Sequence, residues 1–174
     1  MMKKRGQIWV ETVIYTLIAF AMIGLVLVFV KPKIEEIRDK GIIEQSITIL
    51  QEINSVIATM GDPGNQREIG VKISKGSLNI DGINDIIYFE LDSKFVYSQP
   101  GEKIEIGDVI VQTEKRGEIN KVTLAILYNE THNITYGGKD ELKSLSRAST
   151  PYKILLANKG EDSLNRTIIE VRLN

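Results

Sequence analysis

Between Arg5 and Lys31 the chain carries a single charge, the carboxylate of Glu11. A carboxylate among apolar side chains costs on the order of 2–4 kcal/mol in a bilayer unless it is paired or stays near the interface. Lys3, Lys4 and Arg5 precede it, so one reading is a shallow Glu11 that reaches back to Lys4 or Arg5. Away from this end, chemistry-bearing residues are sparse. His132 is the only histidine and cysteine is absent, so neither a histidine-based triad nor a zinc cluster of the usual ligands is available. His132 reads as an exposed turn residue.

Glu102, Glu105 and Asp108 alternate with Lys103 and apolar residues and read as the outer face of strands, with calcium ligation the weaker alternative. Lys139, Lys143 and Arg147 form one stripe if their segment is helical. Without interleaved aromatics that stripe reads as a solvated face and not as a nucleic-acid site. Gly137-Gly138 is a turn signal, and no phosphate-cradling glycine motif is present. Three Asn-x-Ser/Thr sequons, at Asn129, Asn133 and Asn165, are candidate N-glycosylation acceptors or ordinary turn asparagines. All three are expected at exposed positions. No catalytic residue, metal site or cofactor is expected, and the chain is not read as an enzyme. The net charge of −1 gives no electrostatic argument for nucleic acid as a partner. Without cysteine, an exported domain has to be held by packing alone.

The head Lys3-Lys4-Arg5-Gly6-Gln7, followed by Glu11 and a long apolar stretch, resembles the class III signal peptide of archaeal type IV pilins and related filament proteins. The resemblance rests on the N-terminal segment and the general layout. It implies a leader of residues 1–6, cut between Gly6 and Gln7 by a prepilin peptidase. The apolar helix is then kept as the assembly element. It also implies that the new α-amine of Gln7 pairs with Glu11 of a neighbouring subunit. The implied partners are copies of the chain or other pilins in a surface filament, with the membrane as host before assembly. Loss of Lys3, Lys4 and Arg5 leaves 19 basic against 23 acidic residues, a net charge of −4. Ile8-Trp9-Val10 stands where the family often has small residues, which leaves open whether the subunit is a major or a minor one.

Two alternatives stand beside this. An uncleaved single-pass anchor would carry an extracellular binding module or an accessory protein of an envelope complex. An ordinary signal peptidase could use Ala19-Phe20-Ala21, although the apolar run continues past that point to Val30.

The elements that must position these residues follow from periodicity. Thr12–Val30 is free of charge and about long enough to cross a bilayer. The basic head should hold the N-terminus in the cytoplasm and put everything from Lys31 outside. Pro32 could bend the helix there. Over residues 33–60 apolar side chains recur at spacings of three and four, the pattern of a helix with one buried face. Gly41 is a soft spot within it, and the run Gly61-Asp62-Pro63-Gly64 should stop it at Met60. A helix over residues 7–60 would span roughly 80 Å.

Residues 67–174 are expected to form an extracellular β-rich domain. Alternation at Val71-x-Ile73, Leu78-x-Ile80, Ile104-x-Ile106 and Val109-x-Val111 predicts half-buried strands. Asp108–Glu114 should pair with Glu118–Tyr128 across Lys115-Arg116-Gly117, and Tyr152–Asn158 with Thr167–Leu173 across residues 159–162. Asp140–Ala148 reads as a short helix or an irregular excursion. The expected class is α+β: a long N-terminal helix packed on an antiparallel sheet or small sandwich.

Overall fold

A computed structural model describes the backbone from Lys3 to Asn174 and the side chains from Trp9 onward. One helix, α1 (Lys3–Ala58), is followed by ten strands. They are β1 (Gln66–Val71), β2 (Ser77–Asp81), β3 (Ile86–Ser93), β4 (Lys103–Ile106), β5 (Val109–Arg116), β6 (Ile119–Leu127), β7 (His132–Tyr136), β8 (Leu142–Ser146), β9 (Tyr152–Glu161) and β10 (Thr167–Leu173). They form a four-stranded sheet in the order β1-β9-β10-β7 and a six-stranded sheet in the order β4-β5-β6-β3-β2-β8. Every pairing is antiparallel except β7 with β10, which is parallel. The chain is therefore α+β, a long N-terminal helix followed by two mostly antiparallel sheets.

Contacts divide the chain into two units, one ending at Arg38 and the other running Asp39–Asn174. In the first, α1 continues through Pro32 without a break. In the second, the helix passes through Gly41 and packs its apolar stripe into the core, with Ile43, Ile47, Leu50, Ile53 and Ile57 all buried. Spacings of three and four put those side chains on one face. The same core takes Leu78, Ile80, Ile87, Phe89, Val122 and Leu124 from the six-stranded sheet and Ile154, Leu156, Ile169 and Val171 from the four-stranded one. Alternation along β3, where Ile87, Phe89 and Leu91 point inward, is the period-two signature of a half-buried strand.

Asp39 fixes where the helix joins this unit. Its buried carboxylate accepts Lys75 Nζ at 2.6 Å and the Lys94 backbone N–H at 2.7 Å. Those partners lie just before β2 and just after β3. At the other end α1 stops at Ala58, two residues before the expected Met60.

Several local expectations need correction. Asp140–Ala148 is neither helical nor irregular: it contains β8, an edge strand paired with β2 from Ser77↔Ser146 to Asp81↔Leu142. The segment carries no apolar alternation to announce a strand, and β8 forms because the open edge of β2 offers a row of backbone partners. The basic stripe expected from a helix there does not form, and Lys143 instead lies over the Tyr136 ring at 5.3 Å. The β5–β6 pairing is as expected, but its turn is Gly117-Glu118, because β5 runs on to Arg116, which pairs with Ile119. Gly117 takes φ 67° at the first turn position, the requirement of a tight two-residue hairpin. Likewise β9 extends to Glu161, so its loop to β10 is residues 162–166. There the Asp162 carboxylate accepts the backbone N–H groups of Leu164 and Arg166, at 2.8 and 2.9 Å, and closes the turn.

Candidate assembly site

Within the unit ending at Arg38, the helix surface from Trp9 to Val30 is uncovered. Trp9 is 72 % exposed, Phe20 67 % and Val28 71 %, and none of the large apolar side chains in the stretch is buried. Water does not tolerate an uncovered apolar surface of this kind, so it needs lipid or other protein around it. The helix is long and apolar enough to cross a membrane. Its few hydroxyls do not break the apolar character: Thr16 Oγ1 donates back to the Thr12 carbonyl at 2.8 Å. Glu11 is exposed within this surface and has no ion-pair partner among the described residues. The cleavage pair Gly6 and Gln7, and the basic residues Lys3, Lys4 and Arg5, lie outside the residues whose side chains are described.

In the unit Asp39–Asn174, His132 is not an exposed turn residue. It is the first residue of β7, half-buried, with its ring edge-on to Tyr128 at 5.7 Å. Burial lowers its pKa and favours the neutral ring. Tyr128 donates its hydroxyl to Asn54 Oδ1 at 3.1 Å, and Asn54 donates to Asp108 Oδ2 at 2.8 Å. Burial, and then the Asp108 charge, pushes the Tyr128 phenol well up, so it stays a neutral donor. These residues line a cleft of about 390 Å³ beside the C-terminal part of α1. The chain of hydrogen bonds ties the helix to the β4–β5 turn and to the end of β6.

Of the acidic trio, Glu105 faces outward on β4 while Glu102 and Asp108 lie in the flanking turns. Among the described residues no group of histidine, cysteine or carboxylate side chains is arranged to hold a metal ion.

The three sequons separate. Asn129 and Asn165 are exposed in turns, whereas Asn133 lies half-buried within β7, contrary to the exposed position expected of it. Its hydroxyl residue, Thr135, is buried. The sequence pattern did not single out Arg166, whose side chain lies 2.8 Å from Asp85 Oδ2 and 2.9 Å from Asp162 Oδ2. The only local signal is the capping aspartate at the head of the loop. The partner Asp85 is distant in sequence and takes a left-handed φ of 55° that no motif announces.

Comparison with known families, with curated proteins and with solved structures finds no match to this chain.

Proposed function

We propose that the chain is a structural subunit, major or minor, of an archaeal type IV pilus-like surface filament. In this reading a prepilin peptidase cuts between Gly6 and Gln7. The helix then waits in the membrane with residues 39–174 outside, and copies associate through their apolar helices. The single observation that carries the reading is the uncovered helix surface from Trp9 to Val30 with one carboxylate, Glu11, set in it. A plain anchor gains nothing from a carboxylate set against its apolar span. A bundle of copies does, because the amine freed on Gln7 and a neighbour's Glu11 satisfy each other's charge and fix the axial offset between helices. The chain acts by assembly and surface contact and not by catalysis.

The test is the intact mass of the chain isolated from its native membrane. A mass that starts at Gln7, or at its cyclised form, supports leader cleavage. A chain that starts at Met1 or Met2 is an uncleaved anchor bearing a binding module, and it sinks the filament reading.

A further inference from the structure

The inward side chains of both sheets meet in one core, and strand register fixes which residues share each outward face. On the six-stranded sheet one outward row crosses Ile110, Ala125 and Tyr88, cross-strand partners on β5, β6 and β3. The next row sets Leu127 beside Ile86, with Asp81 between Ile86 and Leu142. None of these apolar side chains is buried, and Leu127 and Leu142 are 50 % and 52 % exposed. The solvated face of an antiparallel sheet is ordinarily polar. Here a single copy leaves an apolar centre in water.

That face is also acidic. By register it carries Asp81, Glu90, Asp92, Glu105 and Glu114. Against these five carboxylates stand three cations, Lys103, Lys121 and Arg116, a net charge of −2. Asp92 and Glu105 have no ion-pair partner among the described residues.

The outward face of the four-stranded sheet is its complement. Leu155 and Ile168 are half-buried there, and Ala157 lies between its partners Gln66 and Glu170. Lys153, Lys159 and Arg172 share this side with Glu68 and Glu170. Only 3 % of the Glu170 side chain is exposed, against 43 % for Lys159 and 53 % for Arg172. The charge that reaches solvent on this face is therefore mainly positive.

We propose that the outward face of the six-stranded sheet in one copy docks on the outward face of the four-stranded sheet in the next. Apolar centre meets apolar centre, and the acidic face meets the basic one. The two faces are different surfaces of the same molecule, so the contact is heterologous and leaves one face of each copy free for another. Pairing of either face with itself opposes like charges. The inference rests on the filament reading above, which brings copies side by side, and it names the surfaces of residues 39–174 that meet.

The chain has no cysteine, so introduced cysteines report contacts without background. Ala125→Cys marks the six-stranded face and Leu155→Cys the four-stranded one, both at outward positions outside the buried core. The variants replace the unaltered chain in its own cells. A flexible thiol–thiol cross-linker is added to intact cells before denaturing electrophoresis. A chain with both cysteines is expected to give a ladder of dimers, trimers and larger species. Co-expressed single variants should give dimers and nothing larger, and each single variant alone should stay monomeric. Ala125→Cys with the more exposed Lys153→Cys repeats the test if Leu155→Cys fails to accumulate. A monomeric double variant overturns the proposal, and so do dimers from either single variant alone, which mean that a face meets itself. The intact mass of the same chains reports the N-terminus. A start at Gln7 with no ladder sinks this inference alone, and a ladder on a chain that starts at Met1 sinks the filament reading alone.

Discussion

Glu170 illustrates how much of this domain's stability rests on single polar residues. Its neighbours Ile169 and Val171 point into the core, so Glu170 belongs to the other face of β10, yet it is nearly fully buried. The charged ends of Arg172 and Lys159 lie 2.6 and 3.0 Å from its two oxygens. Burial by itself raises the pKa, but the hydrogen bonds and charges of Arg172 and Lys159 outweigh it and hold the carboxyl below its ordinary 4.5. A depressed folded pKa means that the unfolded chain takes up a proton first as pH falls. The stabilisation is therefore complete above about pH 4.5 and is lost as pH drops through the lower folded value. Thermal midpoints of the detergent-solubilised chain should fall below pH 4.5 by more in the unaltered protein than in Glu170→Gln, which has no charge to lose. Parallel pH profiles of the two proteins would show that the ion cluster contributes nothing.

At the scale of the element, the outer part of α1 is a structural member of the β domain and not a stalk beneath it. Leu50 is wholly buried among side chains from the sheets. Truncating it to alanine should destabilise the unit Asp39–Asn174 by about 2–5 kcal/mol, the range for deleting a buried leucine side chain in a packed core. Urea midpoints at unchanged slope would measure this, and a loss under about 1 kcal/mol would mean that the helix is only loosely docked. This docking was legible beforehand, because the recurrence of isoleucines from Ile43 to Ile57 has a helical period and the breaker run after Met60 marks its end. Strands β2, β4, β5, β6, β9 and β10 were legible for the same reason, each carrying alternation or a turn dipeptide. β8 was not, because an edge strand with one buried residue, Leu145, has no period to read and exists only through its partner β2. β7 was hidden behind a polar sequence and a parallel pairing with β10 that no local pattern encodes. The Arg166 cluster was invisible for a related reason: Asp85, Asn129 and Arg166 are far apart in sequence, and only the packed turns bring them together.

At the scale of the whole molecule the question is why an apolar helix should carry Glu11 at all. On insertion energetics leucine is no worse a residue, since it favours the bilayer by a few tenths of a kcal/mol, while a carboxylate beside the Thr12–Val30 span gains nothing from lipid even though its cost there is below the roughly 3 kcal/mol of a helix centre. Glu11→Leu should therefore enter the membrane at least as well as the unaltered chain. If copies assemble through a Gln7 amine and a neighbour's Glu11, the same substitution buries that amine without a counter-charge, and breaking such a pair from one side costs about 3–5 kcal/mol. The two effects point in opposite directions, which makes the variant diagnostic. On the filament reading, membrane fractions should contain Glu11→Leu at normal or raised levels, while sheared surface filaments should contain none of it. Glu11→Gln should fail in the same way, because it keeps the shape of the side chain and removes only the charge. If either variant enters filaments at the level of the unaltered chain, the carboxylate is not the assembly contact. Its place is then the shallow one, reaching back towards Lys4 or Arg5, and the apolar helix has to find its register by packing alone.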